Sequence, residues 1–329
     1  MAFFAKSLRM APRLSLGLSL GLILATSVLG GTTGKLAMAD DEIEKKIRDE
    51  VSRRVTDAIS KRIGDDVTST IDGMPDTGYT NSVWLTPSYA NITSDNDSLI
   101  EEAGSEFDTD LWTVPFGIDH RFGDSFFLGI SGAYANSATD IDVDGSDMDS
   151  DFYSDTFTVS PYVAYRFADY FFATGLFSYA YSDGKSTADD TDDVDSDSQT
   201  YSTELALNAA FPLGDFIMKG KAGWRYSYTE LLDFEAEGDD DSDAHTAVSS
   251  VEVGYNLDPF VPYLGVQYEN VFPENVPLVD EGDTDFLYLS GGVRASVNDW
   301  LSLGAGVRAE VINQETNQIG GQLEFKARF

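Results

Sequence analysis

The chain has 329 residues, no cysteine, and 57 acidic against 21 basic side chains, for a formal charge of −36. A surface that acidic argues against nucleic acid as a partner, which needs a basic face. The lack of cysteine excludes a lipoprotein anchor, a disulfide framework and thiol catalysis. The length suits one large barrel or two ordinary domains.

Residues 1–39 read as a secretory signal. Lys6, Arg9 and Arg13 make a basic start, residues 14–30 are apolar, and Ala37-Met38-Ala39 presents small residues for cleavage before Asp40. Removing this segment takes away four basic and no acidic residues, leaving 17 basic against 57 acidic and a charge of −40. No later stretch reaches the roughly 18 apolar residues that a spanning helix needs. Membrane insertion would therefore require strands closed into a barrel.

Residues 40–66 are predicted to form an amphipathic helix. The stretch 41–64 has no internal Pro or Gly, carries acids in its first turn and reaches Gly64 at its expected stop. Ile43, Ile47, Val51, Val55, Ile59 and Ile63 recur at steps of four. That step overshoots the helical period, so the stripe winds around the helix and does not fit a left-handed coiled coil. These 24 residues would span roughly 36 Å, about the height of an outer-membrane barrel. A place in a barrel lumen and a place in the periplasm both remain open at this point. Residues 67–81 are polar, with Gly73, Pro75 and Gly78, and read as a linker.

Residues 82–329 alternate between strand-like runs and two kinds of connection. Twelve strands are expected near 82–92, 109–122, 125–138, 155–167, 170–183, 200–212, 215–230, 246–257, 260–272, 284–297, 300–312 and 318–329. Every second connection is tight: Gly123-Asp124, Ala168-Asp169, Leu213-Gly214, Asp258-Pro259 and Asn298-Asp299. The others are mostly long and acidic, including 142–151, 188–198 and 236–244. Short turns on one side and long loops on the other are the sidedness of a transmembrane antiparallel β-barrel. Aromatics such as Phe122, Phe126, Phe167, Phe171, Phe211, Phe216 and Trp300 crowd beside the short turns, as an interfacial girdle would. In the last strand Gly321, Leu323, Phe325, Ala327 and Phe329 share one face, and Gln322, Glu324, Lys326 and Arg328 share the other.

The same parity sends charge inward. Beyond residue 81 there are ten Lys or Arg residues, and only Lys185 falls in a predicted loop. Arg121, Arg166, Lys219, Lys221, Arg225, Arg294, Arg308, Lys326 and Arg328 fall at the inward parity, together with Asp119, Glu204, Glu252, Glu269, Glu310 and Glu324. Such charges either pair across the barrel or with carboxylates of the helix, or line a channel that favours anions.

No catalytic residue is expected. His120 and His245 are the two histidines; neither has a partner in the sequence that marks general-base chemistry. His245-Thr246 followed by Ser249 and Ser250 matches the spacing of barrel phospholipases only loosely, and Gly123-Asp124-Ser125 lies in a predicted turn. Asp140, Asp142, Asp144 and Asp151 follow the EF-hand spacing, with Gly145 at the sixth position. They make a candidate site for weakly bound Ca²⁺ or Mg²⁺; no other cofactor is expected.

Signal peptide, helical lead-in, about twelve antiparallel strands and a terminal Phe329 together resemble the β-domain, or translocator, of autotransporters. The resemblance covers residues 41–329 and rests on architecture, not on a sharp motif. It implies a barrel in the outer membrane of a Gram-negative bacterium, surrounded by lipid, with a helix running through its pore. It also implies that periplasmic chaperones and the barrel-assembly machinery handle the chain and that Gly321, Leu323, Phe325, Ala327 and Phe329 carry the assembly signal. Only residues 40–81 stand where that family carries a secreted passenger, so the expected function is a translocator or structural barrel without a large passenger. The alternative is a narrow channel for small, preferentially anionic solutes.

Overall fold

A computed structural model describes residue 51 and residues 53–64, 79–94, 105–143, 149–188, 194–232, 242–274, 285–312 and 317–329. The signal segment, the first part of the predicted helix and residues 65–78 of the linker region lie outside the described residues. Val51 and residues 53–64 are helical and form α1. Thirteen strand segments follow: β1 (Asn81–Leu85), β2 (Ser88–Ser94), β3 (Ser105–Phe122), β4 (Phe126–Val143), β5 (Asp149–Ala168), β6 (Phe171–Ala188), β7 (Val194–Leu213), β8 (Phe216–Leu231), β9 (Ser242–Tyr255), β10 (Phe260–Glu274), β11 (Asp285–Ser296), β12 (Leu301–Ile312) and β13 (Asn317–Arg328).

β1 and β2 are two halves of one barrel strand. Both pair with β3 on one side and β13 on the other. Pro87 lacks the N–H that a ladder needs, which interrupts the strand. The interruption is bridged on both sides: Thr86 N donates to Pro115 O at 2.8 Å and Leu323 N donates to Pro87 O at 2.9 Å. Twelve antiparallel barrel strands result, each paired with its neighbours in sequence, and the β1/β2–β13 seam closes the cylinder. At the seam Asn81 and Phe329 exchange both backbone hydrogen bonds, at 3.1 and 3.0 Å. Closure matters because an open edge would leave backbone groups unpaired in lipid, where each costs several kcal/mol (about 4–8 on an alkane scale).

The five tight turns sit at the end of the barrel that holds Asn81 and Phe329. Two of them need the left-handed backbone that glycine adopts without strain: Gly123 at φ 61° and Gly214 at φ 68°. At the opposite end the strands run farther than expected. β4 continues to Val143, β5 starts at Asp149, β6 reaches Ala188 and β7 starts at Val194, so part of the acidic stretches expected as loops is ladder. The alternation explains it. Ile141, Ser150, Phe152, Ser154, Ser182 and Ser198 turn inward and are buried, while Asp140, Asp142, Asp183 and Asp195 stay exposed. Composition alone reads such a stretch as loop; parity makes it strand.

The outer surface is apolar. Leu264, Leu205, Val307 and Ile319 are 73, 65, 64 and 63 % exposed, a burden that only a lipid environment makes favourable. This belt is flanked by aromatics. Beside the short turns lie Phe122, Phe126, Phe167, Phe171, Phe216 and Trp300, all exposed. Toward the other rim, cross-strand rings pair at Tyr89–Trp112 (4.9 Å), Tyr134–Phe157 (5.1 Å) and Tyr179–Tyr201 (5.3 Å).

Some inward aromatics lie flat over glycines. An added Cβ on Gly129 would stand 2.1 Å from the Tyr162 ring. Tyr162 is fixed there because its hydroxyl donates to Asp119 Oδ2 at 3.1 Å and accepts from Trp84 Nε1 at 3.3 Å. Gly129→Leu should therefore lower stability by roughly 1–3 kcal/mol. The check is the temperature at which the folded, fast-migrating form is lost on gels, which should fall while a surface substitution such as Asp183→Asn leaves it in place.

Candidate functional site

The lumen is filled by α1, and the helix meets two different walls. Its apolar stripe packs on one. Val55, Ile59 and Ile63 join Trp84, Phe127, Ala133, Tyr162, Ala164, Phe172 and Leu176 of β1, β4, β5 and β6. Val51 lies in a second cluster with Ile92, Phe107, Leu111, Ala135, Ile141 and Phe152. A step of four drifts around the helix, and the handover from one cluster to the next along α1 is that drift in space. Ile59 is completely buried and Val55 is 1 % exposed.

The clusters also fix the direction of α1. Phe127 adjoins the short turn at 123–125, whereas Ile141 and Phe152 lie near the far ends of β4 and β5. Ile63 is thus at the short-turn end of the barrel and Val51 at the long-loop end.

The polar side of α1 faces β7–β13 through a connected set of charges. Asp57 is its centre. Its Oδ1 accepts from Arg225 Nη2, and its Oδ2 accepts from Arg308 Nη1 at 3.2 Å and Gln267 Nε2 at 3.1 Å. Arg225 also donates to Glu204 Oε2 through Nη2 at 2.9 Å and Nε at 3.2 Å. Glu204 Oε1 takes Lys221 Nζ at 2.6 Å and the Ser60 hydroxyl of α1 at 2.6 Å. Glu269, fully buried, faces Arg53 Nη1 of α1 at 3.4 Å and Arg308 Nη2 at 3.6 Å. Nearer the short turns Lys61 Nζ lies 3.5 Å from Glu324. Arg294 grips Glu252 with two bonds of 2.7 and 2.9 Å.

Aromatic faces take up the rest of the cationic surface. Arg308 lies 3.7 Å over Tyr288, Arg294 4.0 Å over Tyr263 and Arg53 4.5 Å over Phe286. Three charged residues of the helix, Arg53, Asp57 and Lys61, together with Ser60, are therefore tied to five wall strands, β7, β8, β10, β12 and β13. Buried charge of this kind is tolerated only when paired.

The residues singled out from sequence fall into different places. Lys219, Lys221, Arg225, Arg294, Arg308 and Glu324 belong to this network or its border. Glu310 stands opposite Tyr288 on β12, with its charge acting on Arg53. Lys326 is 8 % exposed on β13, and Arg328 sits at the seam opposite Ser82. Arg121 and Arg166 lie at the short-turn rim: Arg121 folds back to donate to Gly123 O at 2.9 Å and Asp124 Oδ1 at 3.1 Å, and Arg166 N donates to Ser125 O. Gly321, Leu323, Phe325 and Ala327 lie along β13, paired with β12 and with the two halves of the first strand.

Asp57, Gln267, Tyr263 and Tyr288 escaped the sequence reading. Asp57 lies two residues from both Val55 and Ile59, opposite the apolar stripe, and this position was the available signal. Inward parity in β10 and β11 would have flagged both tyrosines.

The Asp140–Asp151 set does not form an EF-hand loop. Asp140 and Asp142 are in β4, Asp151 faces Asp140 from β5, and Asp144 lies outside the described residues. An extended hairpin cannot wrap its carboxylates around one ion as a calcium loop does, and no group of three ligating side chains converges among the described residues. His120 Nδ1 bonds Asn81 Oδ1 at 2.8 Å beside Phe122. His245 Nδ1 accepts from Trp224 Nε1 at 3.2 Å, among Trp224 and Tyr226. Ser249 is four residues along β9, about 13 Å away at strand rise, beyond hydrogen-bond reach.

Asp57→Ala would leave Arg225, 3 % exposed, without its helix partner. A loss of about 3–5 kcal/mol follows from breaking a buried pair on one side. Thermal unfolding of the purified barrel should show it, and Asp57→Ala combined with Arg225→Met should recover part of the loss because no buried charge is then stranded.

The profile of the autotransporter β-domain matches residues 83–316. The comparison with curated sequences found no match. Among solved structures, the translocator domain of the autotransporter NalP from Neisseria meningitidis superposes with a TM-score of 0.60 at 13 % identity, covering 84 % of this chain and 98 % of that one. The transport unit of AIDA-I from Escherichia coli gives 0.60 at 16 %, covering 78 % and 93 %. The β-domain of the Bordetella autotransporter BrkA gives 0.59 at 14 %, covering 76 % and 100 %. At such identities these structures speak for the fold, while the profile spans most of the chain. With a closed twelve-stranded barrel and a helix in its pore, the chain belongs to the autotransporter β-domain family and is a translocator-type barrel of the Gram-negative outer membrane.

Proposed function

We propose that this barrel holds the segment N-terminal to α1 at the cell surface, having passed it through its own lumen. The direction of α1 carries this reading. The chain descends from Val51 at the long-loop end to Ile63 at the short-turn end and enters the first strand at Asn81. Short turns face the periplasm in such barrels, so whatever precedes Val51 emerges on the outside. The role is transport and anchoring, without catalysis.

Export begins with cleavage after Ala39, which makes Asp40 the first residue of the mature chain. Periplasmic chaperones then carry the chain to the barrel-assembly machinery, which reads the alternating strand ending in Phe329. The seam gives that residue a physical task as well, since Phe329 supplies both backbone hydrogen bonds to Asn81.

Glu44→Cys introduces a lone thiol into a cysteine-free chain. A membrane-impermeant maleimide applied to intact cells should label it as fully as a thiol placed at Asp147 in a long connection. Labelling at 147 without labelling at 44 would contradict the proposed path. Deleting Phe329 should reduce the heat-modifiable, membrane-inserted fraction several-fold against the full chain; unchanged assembly would remove the terminal signal from the account.

A further inference from the structure

We infer that α1 and the barrel wall form a ladder of alternating charge, which lets the chain come to rest in the pore at one axial position only. This rests on α1 lying in the lumen and not on which side the preceding segment emerges, so the two readings can fail separately. The apolar stripe alone is degenerate. Ile43, Ile47, Val51, Val55, Ile59 and Ile63 recur every four residues. Moving the helix by one turn, about 6 Å with a rotation of about 40°, lays each aliphatic side chain where its neighbour was. Packing on the dry wall of β1 and β4–β6 therefore does not distinguish one turn from the next.

Two residues on from the stripe, about 200° round a helix, charge alternates in sign at the same step: Lys45, Asp49, Arg53, Asp57, Lys61 and Asp65. Around the three rungs that lie among the described residues, the wall alternates in the opposite sense along the axis. Toward the long-loop end Glu269 of β10 meets Arg53 Nη1 at 3.4 Å, and Phe286 of β11 covers the same guanidinium at 4.5 Å. Below them Arg225 of β8 and Arg308 of β12 hold Asp57. Nearer the short turns Glu324 of β13 stands 3.5 Å from Lys61 Nζ.

A slip of one turn in either direction inverts every rung. Moved toward the short turns, Asp49 would face Glu269, Arg53 would face Arg225 and Arg308, and Asp57 would face Glu324. Moved the other way, Asp57 would face Glu269, Lys61 would face the two arginines, and Asp65 would face Glu324. Glu269 is fully buried and Arg225 is 3 % exposed, so these like-charge contacts would fall where water screens them least. The signs match again only after eight residues, about 12 Å along the axis. The stripe thus sets the step, and the charges select which step is taken. Travel of the chain through the pore ends with Asp57 between Arg225 and Arg308.

Cross-linking in the full, cysteine-free chain reads the register. A Cβ added at Gly64 meets Asn208 Oδ1 of β7 at 4.0 Å, so Gly64→Cys with Asn208→Cys should form a disulfide on oxidation. A helix one turn nearer the short turns would instead present Ser60→Cys to Asn208→Cys. Each pair is tested separately, and products are scored by mass spectrometry in the folded, fast-migrating form. The native ladder should favour the 64–208 link over the 60–208 link by about tenfold or more. Reversing four rungs with Asp49→Lys, Arg53→Glu, Asp57→Arg and Lys61→Glu should invert that preference, because the slipped register then matches the wall. Removing the signs with Asp49→Asn, Arg53→Gln, Asp57→Asn and Lys61→Gln should bring the two yields within about threefold of each other. The wall of this second variant still pairs Glu204 with Lys221 and Arg225, and Glu252 with Arg294, so it decides the matter if the reversed chain does not fold. Comparable yields of the two links in the native ladder, or a 64–208 link that stays dominant in either variant, would overturn the inference.

Discussion

The arrangement depends on one carboxylate carried into the barrel interior. Asp57 is held from the wall by Arg225 on β8, Arg308 on β12 and Gln267 on β10. Strands far apart around the cylinder thereby share one partner on the helix. An unpaired guanidinium at 3 % exposure would be costly, so the wall charges are arranged for a helix in place. Such pairs are poorly screened by salt, which makes the attachment robust in a medium that weakens surface ion pairs.

The lumen divides into two halves with different physics. On the β4–β6 side α1 is packed dry, through Val55, Ile59 and Ile63 against aromatics and alanines. On the β7–β13 side it meets the wall through charged contacts, Asp57 with Arg225 and Arg308, Ser60 with Glu204 and Lys61 with Glu324. The dry side supplies contact area and the charged side supplies position along the axis. A helix held by packing alone could slide by one turn from one isoleucine to the next; the Asp57, Ser60 and Lys61 contacts break that degeneracy.

Much of this was legible in the chain. Parity and turn spacing placed twelve strands and their sidedness, because a pleated strand in lipid must separate its faces residue by residue. The strand ends toward the long connections were read too short, since the acids of 142–151 look like loop until Ile141, Ser150 and Phe152 are seen to share a face. Inward charges were visible as a set, but their pairing was not. Which base meets Asp57 depends on barrel shear and on the rotation of α1, and both are set by tertiary packing. The EF-hand spacing misled for the opposite reason: a ligand pattern in sequence has no meaning once a hairpin holds Asp140 and Asp151 face to face.

Conductance in a planar bilayer tests the central claim, that α1 occupies and closes the pore from within. The mature chain and a form lacking residues 40–66 would be compared at the same salt and voltage. The account predicts a nearly silent mature protein and a large, steady conductance once the helix is removed. Equal conductance from the two forms would place the helix outside the lumen and contradict the account.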